Sequence, residues 1–350
     1  MSINSASAVA KTVANLVKSI PVRNKDVVSR RFGLKNGKKE TLESIGKSYG
    51  ITRERVRQIE EFAINQLRKV ADGNQDVERY VALAKNIILG VGHRPLLGNS
   101  VGGNGVMKER DLFRAFSGSE TDSAVNSSLV FVLSLSRDPV RFGENDDFHA
   151  FWAVSPAALA DFKNLAASTV AFLEKSGKPV SENDFTPLAG KPDTFLSISK
   201  AVSKNIFHEV GLVSWPEVKP KGVRDKAYLV LKKNNSPKHF GEIAKLINTS
   251  GFNGKKANTQ TVHNELIKDN RFILVGRGTY ALSDWGYKAG TVKDVLVDLL
   301  KSSSKPIPKA ALVSKVLNSR MVKENTILLN LQDSKMFIKN DDGTYSLRKA

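Results

Sequence analysis

The residues able to do covalent or metal chemistry are few and poorly spaced for it. Five histidines, at 93, 149, 208, 239 and 263, fit no metal-ligand spacing and form no HExxH. There is no cysteine, which removes disulfides, zinc fingers, iron–sulfur clusters and thiol catalysis. The glycine-rich GVGHRPLLGNSVGGNG at 90–105 matches neither a P-loop nor GxGxxG, because Met107 precedes Lys108 where a P-loop has glycine. It reads as a loop, His263 as a surface or capping residue, and Asp146 and Asp147 as a solvated turn. No enzyme activity, cofactor, metal ion or small-molecule substrate is expected. What remains is recognition. In ITRERVRQIEEFAINQLRK, residues 51–69, four arginines and three glutamates share one helical stretch. At 3.6 residues per turn Val56, Ile59 and Ala63 fall on one face, and Arg53, Glu54, Arg57, Gln58 and Glu61 on the other. Such a face can simply be solvated, with i,i+4 pairs such as Arg57–Glu61. Its residue types are also those that read base edges: arginine on guanine, glutamine on adenine, glutamate on the cytosine amino group. They lie at the N-terminal end of their helix, from which recognition helices contact bases. Arg53, Glu54, Arg57 and Gln58 are therefore the candidate base-reading residues.

The surrounding sequence supplies the elements that would position them. Val27, Val28 and Phe32, then Leu42 and Ile45, then Val56, Ile59, Ala63 and Leu67 keep helical spacing. Two short helices joined by YGIT give a helix-turn-helix, with Gly50 as the left-handed turn residue and Thr52 as the cap of the second helix.

Charge points to a polyanionic partner. The net charge is +19 over 350 residues, and it is unevenly spread. Residues 21–70 hold 13 basic and 6 acidic residues, 71–220 hold 15 and 18, and 221–350 hold 24 and 11. Two basic ends flank a nearly neutral middle. Neither end pairs a strong apolar face with a Lys/Arg stripe, and no segment reaches the ~20 apolar residues of a membrane span. Double-stranded DNA, not a membrane, is the expected partner, and a cytoplasmic, nucleoid-associated location follows.

TLESIGKSYGITRERVRQIEEFAINQLRK, preceded by RNKDVVSRRFGL, closely resembles region 4 of the sigma-70 family of bacterial RNA polymerase factors, over about residues 15–70. The resemblance implies that Arg53, Glu54 and Gln58 face the bases of a promoter −35-type element. It places Thr41, Leu42, Arg55 and Arg57 near the phosphate backbone, with Arg31 a further phosphate candidate, and implies RNA polymerase core as a partner. Arg57 thus belongs to both sets, through its exposed face and through the resemblance. Ser44 stands where the family usually has an acidic residue. The polymerase-holding and −10-melting helices of sigma factors are not recognisable ahead of the match, so an ordinary full-length sigma factor is not expected.

Beyond residue 72 a second kind of unit recurs. Gly278, Thr279, Tyr280 and Leu282 return as Gly343, Thr344, Tyr345 and Leu347, each 65 residues later. Each set follows two helical stretches, so the order is helix, short strand, two helices, hairpin: a winged helix. Fainter echoes at 105–154 and 175–218 suggest two more, with Trp152, Trp215 and Trp285 closing small cores. The expected fold is mainly α with small β wings. Its tandem domains are 1–72 (helix-turn-helix), 73–156 and 157–221 (winged-helix-like), 222–287 and 288–350 (winged helices). Residues 224–285 resemble the HARE-type winged helix, which implies DNA contact or docking on polymerase. There GKKANTQTVHNEL is the expected third helix, with Val262 and Leu266 buried. Lys255, Lys256, Asn258, Gln260 and Asn264, with Arg277 at the wing tip, are its nucleic-acid candidates. The combined expectation is a sigma-like promoter-reading regulator. The rivals are a delta-like polymerase-associated protein and a non-specific nucleoid or defence-associated DNA binder.

Overall fold

The computed structural model describes residues 3–91, 105–189, 192–252, 254–287, 289–303 and 305–348, with 3–7 and 186–189 described by backbone alone. The glycine-rich loop and His93 lie outside the described residues. Among the described residues the architecture is 57% helical, with sixteen α-helices and small three-stranded antiparallel sheets. It divides into two compact units, 1–214 and 215–350.

The first unit begins with four helices: α1 (Ile3–Leu16), α2 (Val22–Phe32), α3 (Leu42–Tyr49) and α4 (Arg53–Ala71). The expected caps are in place. Gly50 ends α3 at φ 65°, and the Thr52 hydroxyl accepts the Arg55 amide at 3.2 Å to start α4. Thr41 caps α3 in the same way, accepting from Ser44 N. Gly46 is needed for a different reason. A Cβ there would lie 2.7 Å from the Ile51 carbonyl, where α3 and the turn are closest. Val27, Ile45 and Val56, all buried, close the small core of this helix-turn-helix.

Then follow α5 (Gln75–Leu89), β1 (Val106–Lys108), α6 (Glu109–Ser117), α7 (Ala124–Leu135), β2 (Val140–Phe142) and β3 (Phe151–Ala153). The same order recurs as α8 (Pro156–Ser176), β4 (Val180–Ser181), α9 (Glu182–Ala189), α10 (Pro192–Ile198), β5 (Val202–Lys204) and β6 (Glu209–Leu212). In both sheets the last strand is central, as β1-β3-β2 and β4-β6-β5. Residue 72 is no break in packing. One core runs from Val9, Val13 and Leu16 of α1 through Ala63 and Leu67 of α4 to Tyr80 of α5 and Phe131, Val132 and Leu135 of α7. Phe131 meets Phe32 of α2 edge to face, ring centres 5.0 Å apart. α7 is apolar or small on every side, and residues 126–133 are all buried, as a helix enclosed by others must be. Below it Glu109 receives Trp152 Nε1 at 3.0 Å and both Arg141 donors at 2.5 and 2.8 Å. Trp152 thus closes a core, as expected from sequence.

The second unit holds α11 (Val223–Asn234), β7 (Lys238–His239), α12 (Phe240–Thr249), α13 (Thr259–Lys268), β8 (Phe272–Gly276) and β9 (Thr279–Leu282). It ends with α14 (Val292–Lys301), β10 (Ile307–Pro308), α15 (Lys309–Ser319), α16 (Glu324–Leu331), β11 (Phe337–Lys339) and β12 (Thr344–Leu347). Again the sheets run β7-β9-β8 and β10-β12-β11. The 65-residue repeat is structural: Gly278 and Gly343 adopt the same left-handed turn, at φ 66° and 79°, before β9 and β12. The two halves of this unit are joined where the Met321 amide bonds the Val275 carbonyl at 2.9 Å. The buried Arg320 side chain also donates to the carbonyls of Leu274 and Gly290.

Candidate nucleic-acid interface

The exposed face of α4 is built from its first turns. Val56 and Ala63 point inward, fully buried, and Ile59 is half-buried, so Arg53, Glu54, Arg57, Gln58 and Glu61 are turned to solvent, as the helical period requires. These side chains are partly engaged with one another. Arg57 grips Glu54 through two parallel bonds, Nη2 to Oε1 at 2.8 Å and Nε to Oε2 at 2.9 Å, and reaches Glu61 at 3.1 Å. Arg55 donates to Gln58 at 3.0 Å. Arg53 makes no side-chain hydrogen bond or ion pair among the described residues. The Arg57 guanidinium holds the Glu54 carboxyl below the usual carboxylate range, and the acid in turn raises Arg57. The i,i+4 pair foreseen from sequence is therefore present, and beside it stands an unengaged arginine.

The phosphate candidates separate. Thr41 is exposed at the start of α3, its hydroxyl already used as a cap, while Leu42 is half-buried against the helix-turn-helix core. Arg55 is exposed beside the turn, where it lines a shallow open recess with Lys47, Ile51 and Thr52. Arg31 is engaged with neighbouring groups while its side chain stays 36% exposed. It pairs with Glu60 at 3.4 Å and donates to the Glu40 carbonyl at 3.1 Å. Burial pushes the Glu60 carboxyl up, which Arg31 opposes. Next to it Arg30 binds both oxygens of Glu40 at 2.9 and 2.7 Å, and Ser44, the residue unusual for the resembled family, donates to the same carboxylate at 3.2 Å. This Arg30–Glu40–Ser44 linkage was not picked out from sequence. Its only linear signal is a basic residue ten positions before an acidic one.

In the second unit α13 starts at Thr259, later than the expected stretch, because Asn258 caps it and accepts from Gln260 N at 2.8 Å. Lys255 and Lys256 therefore lie in the approach to the helix, exposed. Val262 and Leu266 are buried as expected. Gln260 donates to Asn264 at 3.2 Å, both exposed, and Arg277 is exposed at the wing tip. His263 is no capping residue: its ring stacks on Phe240 at 4.3 Å. His239 caps instead, its Nδ1 accepting Gly241 N at 3.2 Å. Among the described residues no group of three or more His, Asp or Glu could hold a metal ion, and no helix is long and apolar enough to cross a membrane.

The family match falls on these first helices. The family described as "Sigma-70, region 4" matches residues 16–69. The RNA polymerase principal sigma factor HrdD of Streptomyces coelicolor is 39% identical over 57 residues, 16% of this chain and 17% of that protein. The RNA polymerase sigma factor RpoS of Coxiella burnetii is 52% identical over 50 residues, 14% of each chain. The RNA polymerase sigma factor SigA of Microcystis aeruginosa is 39% identical over 64 residues, 18% of this chain and 15% of that one. The chain spans about a sixth of the length of these relatives. No solved structure matches it. The stretch matched takes in α2, the capped α3, the turn and all but the last two residues of α4, and residues 16–69 of this chain form a sigma-70 region 4 domain.

Proposed function

We propose that the chain is a sigma-like regulator of transcription initiation that binds promoter DNA through α4, by contact and without chemistry. The observation that carries the reading is the exposed row Arg53, Glu54, Arg57 and Gln58 on the first two turns after the Thr52 cap, within the region 4 match. Inserted into a major groove, Arg53 offers two donors to a guanine, and Gln58 a donor and an acceptor to an adenine. Thr41, Leu42 and Arg55 flank the backbone, and Arg31, part-exposed and paired with Glu60, is a further phosphate contact. RNA polymerase core is the proposed second partner, on the strength of the region 4 match. A HARE-type character for residues 222–287, and the division into one helix-turn-helix and four winged units, remain part of this reading, with the helix-turn-helix and the first winged unit sharing a core.

The test is selection of duplexes from a random pool by the full chain. A −35-like hexamer should be enriched, and Arg53→Ala should flatten its first positions. Binding to duplexes without any sequence preference would favour the non-specific reading. Polymerase co-purification with no DNA binding would favour the delta-like one.

A further inference from the structure

The four winged units carry the same order of elements, yet their would-be reading surfaces differ sharply in chemistry. In the first, the third helix α7 is enclosed, residues 126–133 all buried, and its wing GENDDFHA at 143–150 is acidic. In the second, α10 is a seven-residue PDTFLSI with Thr194, Phe195 and Ile198 buried, and its wing NIFH at 205–208 holds no lysine or arginine. In the fourth, α16 reads ENTILLNL, with Leu329 66% exposed, and its wing turn NDDG at 340–343 presents Asp341 and Asp342 to solvent. The fourth unit has Lys323 ahead of α16, but among the described wing turns only that of the third unit carries a lysine or arginine, beside a polar helix face with basic flanks. Gln260, Thr261, Asn264 and Lys268 are exposed on α13, Lys255 and Lys256 precede it, and the wing turn between β8 and β9 is Arg277-Gly278.

Packing brings these pieces together. The Phe240 amide bonds the Gly278 carbonyl of the wing turn at 2.9 Å, and the Phe240 ring stacks on His263 of α13 at 4.3 Å. A Cβ at Gly278 would lie 2.6 Å from the His239 ring, so the turn is seated tightly on the start of α12. The nearby acids are already paired: Glu265 with Arg224 at 3.3 Å, Glu242 with Lys238 at 3.0 Å, Asp269 with Arg271 at 2.6 Å. Lys255, Lys256 and Arg277 have no such partner among the described residues.

We infer that this one winged unit, and not the other three, carries a second binding surface for double-stranded DNA, directed at phosphates and blind to sequence. The blindness follows from the charges that stand free of acids. Asn258 is used as a helix cap, and Gln260 gives one amide hydrogen to Asn264 Oδ1 at 3.2 Å. The free groups are cations, which grip phosphates and carry no base information. Sequence preference then rests with α4, and this surface adds affinity by holding both contacts on one chain.

The test uses the full chain with two duplexes, one carrying the selected hexamer and one scrambled, titrated across salt concentrations. Lys255→Gln, Lys256→Gln and Arg277→Gln combined should weaken both duplexes by the same factor, roughly 10- to 100-fold at moderate salt. The slope of log affinity against log salt should shrink by about 3. A matched control, Lys309→Gln, Lys315→Gln and Lys323→Gln, removes the same charge from the fourth unit and should leave the slope in place. An unchanged slope in the first triple variant, or an equal loss in the control, overturns the inference. So does capture of polymerase that depends on the first triple while DNA affinity does not. If α4 does not read sequence, the two duplexes bind alike from the start, yet the change in slope still decides this surface.

Discussion

Glu54 and Arg57 are locked together on the exposed face of α4 by two parallel hydrogen bonds of 2.8 and 2.9 Å. An arginine held this way presents a pre-shaped edge and is not free to wander, while its acid blunts non-specific attraction to phosphate. Glu54→Ala should therefore strengthen binding to scrambled duplexes about 3-fold and narrow the gap between selected and scrambled DNA. Arg57→Ala should weaken both. Fluorescence anisotropy with the two duplexes separates these outcomes, and an unchanged ratio in Glu54→Ala would show the pair to be mere surface decoration.

The turn makes a comparative prediction. Gly50 sits at φ 65° with open space where a Cβ would go, so Gly50→Ala should cost only the left-handed backbone, about 1 kcal/mol. Gly46→Ala drives a methyl against the Ile51 carbonyl at 2.7 Å and must displace the turn itself, at about 2–3 kcal/mol. Thr52→Ala removes the cap of α4, worth about 1 kcal/mol. The urea midpoint should fall most in Gly46→Ala, which should lose DNA binding as well, and by similar smaller amounts in Gly50→Ala and Thr52→Ala.

Because α7 completes the core under α2 and α4, the winged unit and the helix-turn-helix should unfold together. Phe131→Ala, at a fully buried position against Phe32, should cost about 3–4 kcal/mol. Hydrogen exchange should then quicken in α1 and α4 as well as in α7. Exchange confined to α7 would mean that the two parts are stable separately.

Acid sensitivity in the second unit should include a contribution from Asp269, beside Asp294, Asp333 and Asp342, whose carboxyls are also held low. Arg271 donates to both of its oxygens, at 3.0 and 2.6 Å, and holds its carboxyl below the ordinary aspartate range. A depressed carboxyl stabilises the fold fully above its unfolded pKa, and that contribution is lost as pH falls through the lower folded value. Stability of the second unit should thus be flat through neutral pH and drop below about pH 4. Asp269→Asn should lower the plateau and soften that drop, seen by thermal melts across pH.

Much of this was readable in one dimension because its determinants are local. Gly50, Thr52 and the 3.6-residue spacing of Val56, Ile59 and Ala63 act within one or two turns, so α4 and its exposed residues stand in the linear order. The recurring Gly-Thr-Tyr before a last strand is equally local, since a left-handed glycine is needed wherever that hairpin turns. Arg31 shows the limit. Its exposure depends on Glu60, twenty-nine positions away, and no spacing rule relates the two. Likewise the start of α13 shifted to Thr259 because Asn258 found the helix amides, which moved Lys255 and Lys256 off the helix and into its approach.

By itself, then, the chain's order determined which segments are helices, where they are capped and which face of each is polar. Tertiary structure decided which of those polar or third-helix faces remain available. α7 has the place of a reading helix and is spent on a core shared with α1, α2 and α4, while α13, in the same place of its own unit, keeps its outer face. The physical reason is that burial is settled by what packs against a face, and the partners of α7 include α1, α2 and α4, more than fifty residues upstream.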